Sequence, residues 1–303
     1  MINSTTPLVT IAIPTYNRAN NYLKQAIQCA VNQTYPNIEI IISDNCSSDN
    51  TETLVKSFNN PKIKYFRQSR NIGGQNNVQF CLEQARADYF LLLHDDDHID
   101  DDFVKVCMEA ADYDINYGVI LTGTRVIDDN GKVLQQTVNK AEECSIADFI
   151  LKWFDYRVPL YLCSTLYNTK RLREMGGFRS KYGLYEDNIV LFQLAAKFGR
   201  KDVPDVKASF RRHSDNSGSA SSIREWCEES LQLLDVICDV APANKELLKS
   251  RGLHYFSVDN YRRAERIQAP LKRFYSYLIV YKKFEYTYSP LHYIFAKNII
   301  YRN

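Results

Sequence analysis

An uninterrupted apolar run of about 18 residues, the length a membrane-spanning helix needs, is missing from this 303-residue chain, so no transmembrane segment is expected. The N-terminal residues lack a basic stretch followed by an apolar one, and no secretory leader is expected. None of the eight cysteines (29, 46, 81, 107, 144, 163, 227 and 238) stands in a CxxC pair. Several, such as Cys81 and Cys163, fall inside apolar runs. They read as small buried hydrophobes of a protein kept in a reducing cytosol. Internal repeats and low-complexity tracts are absent, as is any large net charge: the balance is +2. The local balance is more telling. Six of the eight positions 95–102 are Asp, whereas residues 251–303 carry ten Lys/Arg against three Asp/Glu. An acidic pocket and a basic tail therefore share one chain.

Hydrophobic residues make up 45% of the sequence, enough for a sizeable core. Leu8–Pro14 is nearly continuous in apolar residues and suits a strand buried on both faces. A helical pattern covers 22–32. Further strands are expected at 38–43, 63–66 and 89–93, with helices over 51–58 and 78–87 between them. Strands alternating with helices predict an α/β fold: a mainly parallel sheet flanked by helices. Strand 118–127 and segment 132–138 flank Asp128-Asp129-Asn130-Gly131, a hairpin signal. A helix is expected at 146–154, a strand at 160–167, an amphipathic helix at 187–198 and a last strand at 206–212. Ser214–Ser222 reads as a loop or hinge. From Glu225 onward the pattern is helical, broken at Pro242 and Pro270.

In such a sheet, ligands sit beyond the carboxyl ends of the parallel strands. The first strand ends at Thr15-Tyr16-Asn17-Arg18, the second at Asp44-Asn45, the fourth at His94-Asp95-Asp96-Asp97. Tyr16 could stack on a base, and Asp44 could accept a hydrogen bond from a base N–H or a ribose hydroxyl. Acidic runs are usually solvated, but this one follows Tyr-Phe-Leu-Leu-Leu without a spacer. That aims its carboxylates at the sheet rim, where they could hold a hard cation. An EF-hand loop is ruled out, because Asp100 and Val106 stand where its Gly and Glu would be.

The chain resembles a family 2 glycosyltransferase of the GT-A fold. The resemblance is carried by Val9-Thr-Ile-Ala-Ile-Pro-Thr-Tyr-Asn-Arg18, Ile41-Ile-Ser-Asp44-Asn45-Cys-Ser47-Ser-Asp49, Asn71-Ile-Gly73-Gly74, His94–Asp97, Gly176-Gly-Phe178, Tyr185-Glu186-Asp187 and Arg211-Arg-His213. It implies a Rossmann-like catalytic domain over residues 1–215, with a nucleotide-binding half (1–100) and an acceptor-binding half (101–215). A C-terminal helical region would cover 216–303. It further implies that Pro14, Thr15, Tyr16, Arg18, Asp44, Asn71 and Asp95 receive the donor nucleotide. Asp96 falls on the metal-binding Asp of the family's DxD motif and His94 where the first Asp usually stands. A one-residue shift would use Asp95 and Asp97 instead. His213 matches a metal ligand of some relatives, although a lone His near a strand end is more often an ordinary packed residue. Mn²⁺ or Mg²⁺ is the implied cofactor, and imidazole suits Mn²⁺ better. Arg211 and Arg212 could instead contact phosphate.

Glu186 and Asp187 open a helix, where acidic residues cap regardless of chemistry. The resemblance makes Asp187 the general base and Glu186 an acceptor-orienting group, which implies inversion at the anomeric carbon. The Gly176-Gly177 pair would allow close approach to donor sugar or acceptor. Implied partners are a nucleoside-diphosphate sugar, with uridine the favoured base, and a glycan or lipid-linked acceptor of bacterial surface polysaccharide synthesis. A sugar-nucleotide nucleotidyltransferase would show a Gly-rich loop where Pro14-Thr-Tyr-Asn-Arg18 stands; a catalytically inactive nucleotide-binding module would not retain Asp44, Asp96, Asp187 and His213 together. Lys272–Arg302 interleaves basic residues with aromatics. This suits peripheral contact with an anionic membrane on the cytoplasmic face, or packing on the catalytic domain or on a second copy. The acidic crevice is a poor host for nucleic acid.

Overall fold

The computed structural model describes residues 6–213 and 221–300. Four strands, β1 (Val9–Thr15), β2 (Ile38–Asp44), β3 (Ile63–Arg67) and β4 (Tyr89–Leu92), run parallel in the order β3-β2-β1-β4. Helices α1 (Leu23–Val31), α2 (Thr51–Ser57) and α3 (Gly74–Gln84) connect them. Val9, Ile11 and Ile13 pack into one apolar layer and Ala12 into the other, which explains the continuous apolar run. β4 pairs with β1 only as far as Ala12, opposite Leu92. Pro14, which has no N–H to give, thus falls where the two strands have already parted and a crevice begins.

The second half departs from the parallel pattern. Short β5 (His98–Ile99) and α4 (Phe103–Ala110) lead to β6 (Val119–Ile127), β7 (Val133–Thr137) and α5 (Ile146–Phe154). β8 (Thr165–Asn168) runs antiparallel to both β4 and β6, joining the halves into one nine-stranded sheet. α6 (Thr169–Glu174) and α7 (Glu186–Phe198) precede β9 (Arg200–Arg211), which runs parallel to β6 and antiparallel to β5. The strand expected at 160–167 is a 3₁₀ turn, Leu162–Ser164, followed by β8. β9 begins six residues earlier than its apolar pattern indicates. Its first half is polar and contains Pro204, and pairing to β6 rather than burial makes it a strand.

α7 was expected to be amphipathic, yet Asn188 to Phe192 are buried consecutively. This stretch of the helix is covered all round, because the C-terminal helices close over its outer face; Ala196 and Lys197 near its end stay exposed. These are α8 (Ile223–Val240), α9 (Lys245–Glu265), α10 (Pro270–Lys283) and α11 (Pro290–Ile300). Pro270 and Pro290 each open a helix, where the missing N–H has no cost. Most of the expected loop at 214–222 lies outside the described residues; Ser222 forms a capping box with Glu225 at the start of α8. Trp153 and Phe154 of α5, Phe192 of α7 and Phe256 of α9 belong to one apolar cluster, with the Trp153 ring 5.3 Å from Phe192 and 6.1 Å from Phe256. All eight cysteines are free, and all but Cys46 and Cys144 are buried.

Because the core is shared, Phe256→Ala should cost about 3–5 kcal/mol of unfolding free energy. The chain should also unfold in one transition seen alike by circular dichroism and by fluorescence of Trp153 and Trp226. Two separate transitions would show that the C-terminal helices fold on their own.

Candidate active site

The loops following β1 and β2 are stitched together. Asn17, held at φ 54°, donates its N–H to Ser47 Oγ at 2.8 Å, and its Oδ1 accepts the Ser48 N–H. Ala19 donates its N–H to Asp49. This leaves Tyr16 exposed at the crevice rim and Thr15 buried below it. Asp44 is completely buried. Its Oδ1 accepts the Ser47 N–H at 2.8 Å, its Oδ2 accepts the Tyr65 hydroxyl at 2.6 Å, and Arg67 Nε lies 3.8 Å away. Asp44 is therefore a hub of the loop as well as a candidate nucleotide contact. Tyr65 and Arg67 were not picked out from sequence; the parallel register that sets β3 against Asp44 brings them there. Asn71 accepts from the Asn45 side chain and from the Gly73 N–H, so it fixes the turn into α3.

At the end of β4, the Leu93 N–H still reaches Ala12, and the chain then turns through His94–Asp97. Asp95 faces Arg18, whose Nε is 3.9 Å away. Burial pushes the Asp95 carboxyl up to about 6, and Asp96 adds to this; Thr15 and Arg18 oppose it. Asp96 Oδ2 lies 2.7 Å from His213 Nε2. Asp97 is buried, its Oδ1 accepting the Arg211 N–H at 2.9 Å, and burial raises its carboxyl well above the ordinary range. His94, Asp96 and Asp97 each present a ligand atom within 4.8 Å of the others. Carboxylate oxygens and imidazole nitrogen are donors that fit Mn²⁺ or Mg²⁺, and they converge here.

Arg211, weighed above as a phosphate partner, is buried instead. Its Nε donates to the Asp96 carbonyl, its Nη1 to the carbonyls of Asp128 and Asp129, and its Nη2 to Gln25. Its guanidinium also stacks 4.2 Å over the Tyr22 ring. Arg212 is the exposed one of the two. The glycine pair likewise has visible structural work. Gly176 and Gly177 take φ +88° and +78° to end α6, and a Cβ on Gly177 would meet Gln79 of α3 at 2.3 Å.

On the far side, Glu186 and Asp187 open α7. A position in the first turn of a helix favours an ionised Asp187. The N–H groups of Asn188 and of Asp187 itself do pull that way, but burial is larger and pushes the carboxyl up to about 6. The charge of His94 also favours its ionised form. Glu186 accepts from Gln75 Nε2 at 2.9 Å. Burial nonetheless raises it to about 7, with the charges of Asp187 and Glu229 adding to the rise. His94 thus belongs with Asp96 and Asp97 at the Asp loop. Sequence reasoning placed His94 in the motif without giving it a role.

This fold and this crevice are those of a GT-A glycosyltransferase. The model of glycosyl transferase family 2 matches residues 10–170, more than half of the chain, and the chain belongs to that family. It is 30% identical over 136 residues to a chondroitin synthase of Escherichia coli, spanning 44% of this chain and 19% of that protein. It is 29% identical over 175 residues to the GalNAc(5)-diNAcBac-PP-undecaprenol beta-1,3-glucosyltransferase of Campylobacter jejuni, spanning 55% of each. The aligned part thus covers from a fifth to about half of these curated relatives. Among solved structures, S. aureus TarS 1–349 in complex with UDP superposes with a TM-score of 0.62 at 16% identity, covering 92% of this chain and 90% of that one. A mannosyltransferase of Pyrobaculum calidifontis, solved with GDP-Man and Mn²⁺, gives 0.58 at 17% identity, covering 96% and 86%.

The raised Glu186 carboxyl has a consequence for stability. Its folded value of about 7 exceeds the ordinary 4.5, so between these pH values the folded state holds more protons than the unfolded one. The stability this group contributes is full below 4.5 and is lost as pH rises through 7. Glu186→Gln should therefore gain in melting temperature over the native chain as pH rises through that window. A difference that stays constant with pH would show that Glu186 titrates normally.

Proposed function

We propose that this chain transfers a sugar, with inversion, from a nucleoside-diphosphate sugar to a hydroxyl of a glycan or lipid-linked acceptor. The observation that supports this reading is the convergence of His94, Asp96 and Asp97, whose ligand atoms lie within 4.8 Å of one another just beyond the end of β4, in a chain of glycosyl transferase family 2. Pro14, Thr15, Tyr16, Arg18, Asp44, Asn71 and Asp95 form the donor side. Uridine is the proposed base. The chondroitin synthase and the undecaprenol-linked glucosyltransferase among the relatives support a glycan or lipid-linked acceptor by their names.

Asp96 and His213 would hold the divalent ion, with Asp97 offering a carboxyl oxygen from the buried side. The ion, when bound, would neutralise the pyrophosphate of the leaving nucleotide. Asp187 takes the proton of the acceptor hydroxyl as that oxygen attacks the anomeric carbon. Its carboxyl, at about 6, is still mostly ionised at neutral pH, yet more basic than an ordinary Asp. Glu186, anchored by Gln75, lies beside it to orient the acceptor.

A panel of nucleotide sugars, assayed for nucleoside diphosphate release with Mn²⁺ or Mg²⁺, tests the reaction. Release of a triphosphate in the presence of pyrophosphate would mark a nucleotidyltransferase, and no release an inactive module. Asp96→Ala should abolish the metal dependence of UDP binding. Asp187→Asn should lower turnover roughly 100-fold or more with UDP affinity unchanged; normal turnover would remove Asp187 from the mechanism.

The proposed location is the cytoplasmic face of a membrane. Among the described residues no helix is long and apolar enough to cross one. α10, however, exposes Leu271, Phe274, Tyr275 and Leu278, spaced as one helical stripe, and α11 exposes Leu291, Ile294 and Phe295. Lys272, Arg273 and Lys282 lie on the same helix as the first stripe. Aromatics with cations fit an anionic interface. The intact chain should therefore bind phosphatidylglycerol vesicles at low salt, and more weakly at high salt. No binding, with self-association in sedimentation, would make this face a contact between copies.

A further inference from the structure

Glu229 is fully buried in the middle of α8, an unusual position for a carboxylate. It is not left without partners. Its Oε1 accepts the N–H of Tyr182 at 2.6 Å, and its Oε2 accepts those of Leu184 and Tyr185, both at 3.3 Å. These three amides belong to the turn that leads directly into Glu186 and Asp187. Gly183, at φ +71°, gives the turn the left-handed step that aims successive N–H groups at one anion.

The start of α7 needs such a grip. Tyr185 stands at its N-cap position and has no short side-chain oxygen to bond the first turn. Its hydroxyl is engaged elsewhere, with Asp259 and Arg263. Neighbouring Glu228 completes the hold from outside. It accepts from the Tyr182 hydroxyl at 2.7 Å and from Lys181 at 3.1 Å, and these contacts, with Lys283, draw its carboxyl down to about 2. On the opposite side, a Cβ at Gly183 would meet Gln75 Nε2 at 2.6 Å, and Gln75 is the residue that bonds Glu186. The turn is thus pressed between α8 and α3.

We infer that Glu229 is a positioning residue: by gripping the amides of Tyr182, Leu184 and Tyr185 it holds Glu186 and Asp187 where the acceptor hydroxyl must be met. The inference rests on Asp187 being the base. It gives the C-terminal helical region a part in the transfer reaction that its lack of catalytic motifs does not suggest. A displacement of about 1 Å at a proton-accepting group can cost roughly 100-fold in rate, which is the scale of effect available to such a residue.

Glu229→Gln tests this in the full chain, since it keeps the volume but replaces one acceptor oxygen by a donor. Three quantities are compared with the native chain: hydrogen exchange at the amides of Tyr182, Leu184 and Tyr185, calorimetric UDP affinity with Mn²⁺, and kcat for nucleoside diphosphate release from the donor that the native chain accepts. The expected result is faster exchange at those amides, kcat lower by roughly 10- to 100-fold, and unchanged UDP affinity. Glu229→Asp, which keeps the charge, should recover part of the rate, and it carries the same comparison if Glu229→Gln does not fold. Normal kcat in the variant overturns the inference. So does a loss of kcat matched by equal losses of UDP affinity and melting temperature, which would mark general destabilisation. A native chain that turns over no donor counts against the transferase reading, a result separate from any difference between native and variant.

Discussion

The crevice depends on one buried guanidinium. Arg211 ends β9, and its backbone N–H is taken by Asp97 while its side chain bonds carbonyl oxygens of Asp96, Asp128 and Asp129 and the side chain of Gln25. These groups come from the Asp loop, the β6–β7 turn and α1, and Arg211 ties all three together, beside the Tyr22 hydroxyl that bonds Asp129. Only arginine offers enough donors in one plane to satisfy them together. Fixing Arg211 also fixes His213 two residues on, at 2.7 Å from Asp96. The contact between Asp96 and His213 is thus a consequence of a structural clamp placed beside it.

Burial dominates the electrostatics around this clamp. Asp95, Asp97, Glu186 and Asp187 all have carboxyls raised above their ordinary values, and desolvation is the first cause in each case. Local donors and cations only moderate it. For Asp95 and Asp97 like-charged neighbours add to the effect, a situation that a divalent cation would relieve. For Asp187 the same burial adjusts basicity towards neutral pH, which would suit the proton transfer proposed for it. One physical cause, exclusion of water, therefore serves both sides of the crevice.

How much of this was legible in the sequence follows from the same physics. Buried parallel strands are continuous apolar runs, and polar residues directly after them mark a ligand edge; β1, β2 and β4 were readable on those grounds, and so was α5, found at Ile146–Phe154 as expected. The polar first half of β9 was not, because its strand state comes from the β6 ladder. Arg211 was misjudged because residue type does not reveal which oxygens surround it. Tyr65 and Glu229 gave no signal: one reaches Asp44 through strand register, the other meets an amide turn 44–47 residues earlier in the chain. Short α4 and α6, of eight and six residues, were missed because about two turns give too few repeats of the helical period to read.

In sequence no catalytic motif falls in the C-terminal helices, and membrane contact or packing on the catalytic domain or a second copy suited them equally. The packing argues otherwise. α7 carries the proposed base at its first turn and buries five consecutive residues, Asn188 to Phe192, which no single flanking layer could cover. The sheet takes one side of it; α5 and α8 take others, while Phe256 and Tyr261 of α9 join the same apolar cluster. Stripping away α8 and α9 would bare the outer face of α7 and remove the Glu229 carboxylate from the turn before Asp187. Isolated helices of this length are marginal in water, and tertiary packing supplies most of their stability. The proposed base is therefore held in place from the C-terminal side, by helices that carry none of the proposed chemistry.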